Sequence, residues 1–177
     1  MKSIHVLLSL SLLAPLSMAS AETTAKTHTE KTETDGTKVT TEYENKTSQG
    51  LLGGSQKNTE ESKVVVDPKG MMNKTTVERK TVRKVEDDGD YKNVDSKTNE
   101  AGTYEEVKSK KTTAKHWTDD GKKTTTSYKH TVDPKGLGNK QTVEVIEKDD
   151  VSPSGKTERT VTKKVNGDTV SEVTTER

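Results

Sequence analysis

The sequence predicts an all-β protein, an elongated antiparallel meander or set of stacked hairpins built from a duplicated unit around a thin core. Three observations support this fold class. Threonine and valine, whose branched Cβ atoms favour extended backbone, recur throughout the chain after residue 22 together with Lys and Glu. Asp-Gly and Asn-Gly pairs separate the strand-forming runs. The segment 65–78 is nearly repeated at residues 131–144.

The N-terminus has the pattern of a secretory signal peptide over residues 1–21, which we expect to be helical. Lys2 gives a positive start, residues 4–16 form an apolar run, and residues 19–21 are the small residues of a cleavage site. A membrane-spanning helix needs roughly 20 apolar residues, and no later stretch approaches that. We therefore expect a mature chain beginning at Glu22, exported to the periplasm or the extracellular medium, with no transmembrane segment.

The composition limits both the core and the partners. Apolar residues make up 25% of the chain and aromatic residues 3%, so a thick two-layer core cannot be filled, and parts of the chain are candidates for disorder. Thirty basic residues balance 29 acidic ones, which argues against nucleic acid as a partner. The chain has no cysteine, which excludes disulfides and a lipid anchor on cysteine.

Four hairpins are predicted, each with a two-residue turn of type I′. A turn at Asp120 and Gly121 puts Trp117 opposite Thr124, with Tyr128 on the same face. By the same rule His28 lies opposite Tyr43, and three valines of the last hairpin share a face. Each hairpin then has one weakly apolar side, enough for a thin layer between neighbours. The turn pairs are Asp35-Gly36, Asp88-Gly89, Asp120-Gly121 and Asn166-Gly167, and the valines are Val161, Val165 and Val170.

Each copy of the repeated segment contains the turn sequence Asp-Pro-Lys-Gly, at residues 67–70 and 133–136. Asp can hydrogen-bond the backbone ahead of it, Pro fixes φ, and Gly accepts the positive φ that ends a turn. We interpret both copies as strand corners rather than ligand loops, since Pro removes one of the N–H groups that would bind an anion. The duplication divides the mature chain into a first β repeat region, residues 22–100, and a second, residues 101–177. The turn residues are Asp67, Pro68, Gly70, Asp133, Pro134 and Gly136.

No motif indicates catalysis, a cofactor or a metal, and we predict that the protein is not an enzyme. His116 and His130 are the best candidates for a zinc pair, but the predicted hairpin places them on opposite faces. The acidic residues 86–90 do not fit a calcium loop, because Lys84 occupies its first ligand position. A charged hairpin tip is the simpler interpretation. The Gly-rich residues 50–54 lack the Lys-Ser/Thr of a phosphate loop.

A few apolar and aromatic side chains form a candidate partner surface. Leucines and methionines in the turns are either strand corners that pack on a neighbouring hairpin or partner contacts. Tyr43, Trp117 and Tyr128 form a candidate stacking surface for a polymer, with lysines nearby. The full candidate set is Leu51, Leu52, Met71, Met72, Trp117, Tyr128 and Leu137.

In composition alone, the Lys/Glu/Thr-rich, Cys-poor chain punctuated by hairpin turns resembles the single-layer β region of spirochaete outer surface lipoproteins. The resemblance implies that a sheet with two polar faces can persist, but it does not extend to their lipidated cysteine. We expect an exported structural, surface or matrix β-repeat protein that associates with itself through edge strands or laterally. The alternatives are a periplasmic module that binds an envelope polymer or an ion, and a disordered protective polyampholyte.

Overall fold

The computed structural model describes residues 21–50, 54–70, 73–101, 105–134 and 138–177. These residues form ten antiparallel strands in one open sheet, which confirms the predicted all-β class. The strands are β1 (Ala21–Thr32), β2 (Lys38–Gln49), β3 (Gln56–Asp67), β4 (Thr75–Val85), β5 (Tyr91–Ala101), β6 (Glu105–Thr118), β7 (Gly121–Pro134), β8 (Gln141–Val151), β9 (Thr157–Val165) and β10 (Asp168–Glu176). The predicted signal helix falls almost entirely outside the described residues. Within those ranges, the chain forms no helix long and apolar enough to cross a membrane.

The strands follow one another across the sheet in chain order, so each pairs with its sequence neighbours. The expected alternative of stacked hairpins with a shared apolar layer is wrong, because the hairpins lie side by side in one layer. No hydrophobic side chain of the described residues is buried, and the buried set contains only Thr131, at 8% exposure. Backbone ladders and cross-strand side-chain pairs, rather than a core, therefore hold the sheet together.

The turn between β1 and β2 has three residues rather than the predicted two. Gly36 N–H donates to the Glu33 carbonyl (3.1 Å) and Glu33 N–H donates to the Thr37 carbonyl (2.8 Å), with Gly36 at φ +88°. This is a type I turn closed by a left-handed glycine, the usual three-residue hairpin loop. The extra residue shifts the register by one. His28 therefore lies opposite Glu42 rather than Tyr43, and Tyr43 is on the other face.

The same three-residue turn occurs twice more. Between β4 and β5, Gly89 N–H donates to the Glu86 carbonyl (3.1 Å), so the predicted two-residue loop at Asp88 and Gly89 is wrong. Between β8 and β9, Gly155 N–H donates to the Ser152 carbonyl (2.9 Å). The sequence analysis missed this last turn, since Ser-Gly replaces the Asp-Gly signal.

The hairpin of β6 and β7 turns one residue earlier than predicted. Thr118 lies opposite Gly121, so the loop is Asp119 and Asp120. Trp117 consequently faces Lys122 instead of Thr124, and Tyr128 faces Lys111. A shift of two in the register leaves every side chain on its predicted face, because side chains alternate with a period of two.

The hairpin of β9 and β10 has the predicted two-residue turn. Asn166 and Gly167 both have positive φ, +52° and +99°, as a type I′ turn requires. A β-bulge then shifts the register between Thr169 and Ser171. Val170, predicted to continue the valine face, is the extra residue of this bulge, and Val173 lies opposite Val161 instead.

Both Asp-Pro-Lys-Gly segments lie where one strand leads into the next. Asp67 is the last residue of β3, and Pro68 and Gly70 lie in the connection to β4. Asp133 and Pro134 are the last two residues of β7, whereas Gly136 lies outside the described residues. The proposed boundary at residues 100 and 101 falls at the end of β5, which pairs with β6 in the same sheet. The duplication itself stays a prediction.

Candidate functional site: the faces and edges of the sheet

The register defines two faces of the sheet. One of them, here called the charged face, carries Lys26, Glu44, Glu61 and Lys80, which lie opposite one another on β1 to β4. The opposite face, here called the aromatic face, carries all the aromatic residues of the described chain. They are Tyr43, Tyr91, Trp117 and Tyr128.

The charged face of β1 to β5 forms a shallow groove of about 690 Å³. Glu44 is bridged by Lys46 at 2.9 Å and by Lys26 at 3.1 Å, and Lys63 is paired with Glu78 at 2.9 Å. Hydrogen bonding to Lys46, and then to Lys26, lowers the pKa of Glu44. These pairs are solvated, so they contribute little to stability.

The aromatic face does not bring the three residues of the predicted stacking surface together. Tyr43 and Tyr128 are five strands apart, about 24 Å at the usual strand spacing. Trp117 and Tyr128 are on adjacent strands, but Trp117 lies opposite Lys122, six residues from Tyr128. That offset corresponds to about 20 Å along the strand. Each of the three side chains is instead exposed separately, by 40%, 53% and 47% for Tyr43, Trp117 and Tyr128.

Trp117 has a different aromatic neighbour, Tyr91. Tyr91 on β5 lies opposite Lys115, two residues from Trp117, which puts the two rings at diagonal positions of adjacent strands. The Lys115 ammonium lies 5.9 Å from the Tyr91 ring and the Lys122 ammonium 5.4 Å from the Trp117 ring. The sequence analysis missed Tyr91. No local signal in the sequence would have placed it beside Trp117, because that position depends on the register of β5 with β6.

Asp90 fixes the Trp117 end of this cluster. One carboxylate oxygen accepts a hydrogen bond from the Trp117 backbone N–H at 2.9 Å, and the other contacts Nδ1 of His116. The Trp117 hydrogen bond, and then the one to His116, lower the pKa of Asp90. Gly89 lies against the Trp117 ring, since a Cβ added there would be 3.8 Å from Cδ1. The acidic turn of β4 and β5 thus docks on the end of β6.

The two histidines of the candidate zinc pair lie on opposite faces, as the predicted register placed them. His116 is opposite Lys123, and His130 is opposite Ser109. Within the described part of the chain, no three His, Asp or Glu side chains are grouped so as to hold a metal ion. In the acidic turn, Asp88 accepts a hydrogen bond from the Asp90 N–H at 2.9 Å, which is a turn-forming contact.

The remaining candidate partner residues lie outside the described residues. They are Leu51, Leu52, Met71, Met72 and Leu137. The described strands around them are antiparallel neighbours, so the ends of β2 and β3 that flank residues 51–53 are at one end of the sheet. The strand ends that flank residues 71–72 and 135–137 are at the other.

Each of the two edge strands of the described sheet has a neighbouring strand on one side only. β1 pairs only with β2, and β10 pairs only with β9. Every residue of β10 is exposed. A strand edge of this kind is a template on which another strand can pair.

No protein-family model, curated protein or solved structure matches the chain.

Proposed function

We propose that the protein is an exported, non-enzymatic structural component of the cell envelope or extracellular matrix, which associates with itself by extending its sheet at the edges. The observation that carries the proposal is a ten-stranded single layer whose described part has two unpaired edges and no buried hydrophobic side chain. Such a fold stabilises each inner strand by pairing it on both sides. The backbone N–H and C=O groups on the outer side of its two outermost strands have no neighbouring strand to pair with. Pairing between copies supplies the missing hydrogen bonds.

Export is the part of the proposal that the N-terminus supports. The full sequence should be expressed in a secreting bacterial host, and the intact mass of the protein outside the cytoplasm should be measured. We expect a chain beginning at Glu22, because the preceding small residues suit signal peptidase. Recovery of the uncleaved chain in the cytoplasm would contradict this.

Self-association is tested on the chain recovered from that host. Sedimentation velocity over a hundredfold range of concentration should show growth from monomer to larger species. Urea unfolding followed by far-UV circular dichroism should have a midpoint that rises with concentration, because association stabilises only the folded chain. A monomer whose sedimentation and midpoint are independent of concentration refutes the structural proposal.

A second candidate function is supported by the Tyr91 and Trp117 cluster. The exposed Trp117 ring and the half-buried Tyr91 ring beside it, with lysines nearby, suit the hydrophobic faces and acidic groups of an envelope polysaccharide. The chain has a single tryptophan, so its fluorescence reports on this cluster alone. Titration with peptidoglycan fragments and acidic glycans should change Trp117 emission in the parent and not in a Tyr91→Ala, Lys122→Ala variant. Flat titrations of the parent remove this candidate.

A further inference from the structure

The strand count determines how two copies can meet. Ten antiparallel strands in chain order put β1 and β10 at opposite edges and make them run in opposite directions. When a second copy is placed beside the first in the same orientation, its β1 therefore lies antiparallel to β10. The same faces of the two copies then remain on the same side. Such a contact continues the meander without reversing either copy.

Backbone hydrogen bonding fixes which residues of each edge strand direct their N–H and C=O groups away from the sheet. Arg177 and Thr157 exchange both backbone hydrogen bonds, at 2.9 Å each. The backbone groups of alternate residues from Arg177 back to Ser171 therefore point toward β9. On β1, the Glu33 N–H donates to the Thr37 carbonyl and the Glu33 carbonyl accepts from the Gly36 N–H, so the backbone groups of odd-numbered residues point toward β2. Because the direction alternates along a strand, the outward groups belong to even-numbered residues on both edges. They are Glu172, Thr174 and Glu176 on β10, and Glu22, Thr24, Lys26, His28, Glu30 and Thr32 on β1.

Even-numbered residues must therefore lie opposite even-numbered residues, which also keeps the charged and aromatic faces continuous. Only registers two residues apart meet this condition. One of them puts Glu172 opposite Lys26 on the charged face and Val173 opposite Ala25 on the aromatic face. It also sets the remaining threonines and Ser171 against threonines. Its one unfavourable pair, Glu176 with Glu22, falls at the end of the paired segment.

Charge disfavours the alternative in which two β10 strands pair with each other. Residues 168–176 carry three carboxylates, those of Asp168, Glu172 and Glu176, and no basic residue. Two such strands bring six negative charges to one seam, and like charges directly opposite each other destabilise a sheet. β1 carries two lysines, Lys26 and Lys31, and two glutamates, Glu22 and Glu30, so its lysine and glutamate charges balance. A second β10 strand therefore repels the β10 edge and β1 does not, and the register that puts Glu172 opposite Lys26 adds one attractive pair.

The geometry points to head-to-tail assembly, in which residues 171–176 of one copy pair antiparallel with residues 22–27 of the next, with Glu172 opposite Lys26. This deepens the proposed function and rests on it. Because the two edges are different surfaces, the contact does not close on itself by two-fold symmetry and leaves a free β1 and a free β10 at the ends. The product is an open sheet that grows one ten-stranded unit at a time.

The absence of cysteine from the chain makes the register directly testable. In the proposed register Ala25 and Val173 form a non-hydrogen-bonded pair, whose Cα separation of about 4.5 Å suits a disulfide. Ala25→Cys and Val173→Cys variants should be prepared separately, mixed at a concentration where the parent self-associates, and oxidised. The expected result is a cross-linked dimer in the mixture and not in either variant alone. The doubly substituted chain should give a ladder of higher multimers.

The controls separate this inference from the proposed function. A Thr29→Cys variant mixed with Val173→Cys should not cross-link, because Thr29 lies four residues from the proposed partner. Association with cross-links in Val173→Cys alone, in Ala25→Cys alone, or through Thr29→Cys overturns the head-to-tail register while leaving structural self-association intact. Association without any cross-link overturns it equally. A chain that stays monomeric throughout refutes both proposals.

Two matched charge reversals on β10 test the same register without cysteine. Glu172→Lys places a second cation against Lys26, and we expect association to weaken about two- to tenfold. Glu176→Lys makes the same change in charge on the same strand but meets Glu22, so association should strengthen. Adding Lys26→Glu to Glu172→Lys should recover part of the loss. If both reversals change association in the same direction, net charge rather than register controls it, and the inference fails.

Discussion

Gly121, the first residue of β7, is the glycine where we expect an added methyl group to lower the free energy of unfolding most. Its φ is +127°, and a Cβ built there would lie 2.0 Å from the carbonyl oxygen of Val151 on β8. Gly121→Ala must therefore displace the end of β8 by about 1 Å to reach ordinary contact. We expect the unfavourable φ to cost about 1–2 kcal/mol, and the disturbed β7–β8 hydrogen bonds about 0.5–1.5 kcal/mol each. The total loss is about 2–4 kcal/mol.

Gly155→Ala is the matched control. Gly155 lies in the turn after β8, with φ +85° and no atom within 4 Å of an added Cβ, so only the φ penalty applies. In urea unfolding followed by circular dichroism at one concentration, a slope of about 2 kcal/mol per M puts the Gly121→Ala midpoint about 1–2 M below the parent. The Gly155→Ala midpoint should fall by less than about 1 M. Equal shifts in the two variants refute the steric argument.

Two further predictions concern a turn and a carboxylate. Asn166→Ala should lower the thermal midpoint more than Asn166→Gly, since glycine keeps the φ of +52° and loses only the 2.8 Å bond that the side chain accepts from Thr142 N–H. Equal losses would show that the turn tolerates alanine. The pKa of Asp90 is lowered in the folded chain by its hydrogen bond from Trp117, so its stabilising effect is present above about pH 4 and is lost as pH falls through the folded value. Asp90→Asn should therefore be less stable than the parent at neutral pH, and the difference in thermal midpoint should shrink toward pH 2. A difference that does not change with pH would contradict the assignment.

The all-β class and the alternation of side chains were predictable because both depend on local chemistry. Asn166 and Gly167 both tolerate positive φ, and this pair formed the expected two-residue turn. Asp35 and Gly36 look equivalent in sequence, yet they belong to a three-residue turn in which the Asp35 carboxylate accepts a hydrogen bond from Thr37 N–H at 2.9 Å. An Asp-Gly pair can occupy the first and second positions of a two-residue loop or the second and third positions of a three-residue loop. One residue of ambiguity was enough to move Tyr43 to the other face.

The candidate site was harder to predict because its contacts join distant parts of the chain. Asp90 and Trp117 are 27 residues apart, and only the pairing of β5 with β6 brings the acidic turn to the end of β6. No local pattern encodes that contact. The low content of apolar residues correctly predicted that a thick two-layer core is absent from the described sheet, but the predicted thin core is absent as well. Composition does not distinguish stacked hairpins from a single layer. That choice depends on whether neighbouring hairpins pair through their backbones, which is a property of strand edges and not of side-chain composition.

In a single-layer sheet, the edge strands are positions where further strands can be added. In a barrel or a sandwich, closure or a covering layer limits the number of strands. In this chain the described strands have no buried hydrophobic side chain, and their main contacts are with the adjacent strands of the sheet. Stability is then close to a sum over adjacent pairs, as in repeat proteins. A β10–β1 contact between copies would have the same backbone chemistry as the nine strand pairs of the described sheet. The side chains that differ at the edges, above all Glu172 and Lys26, then determine whether growth occurs and in which direction.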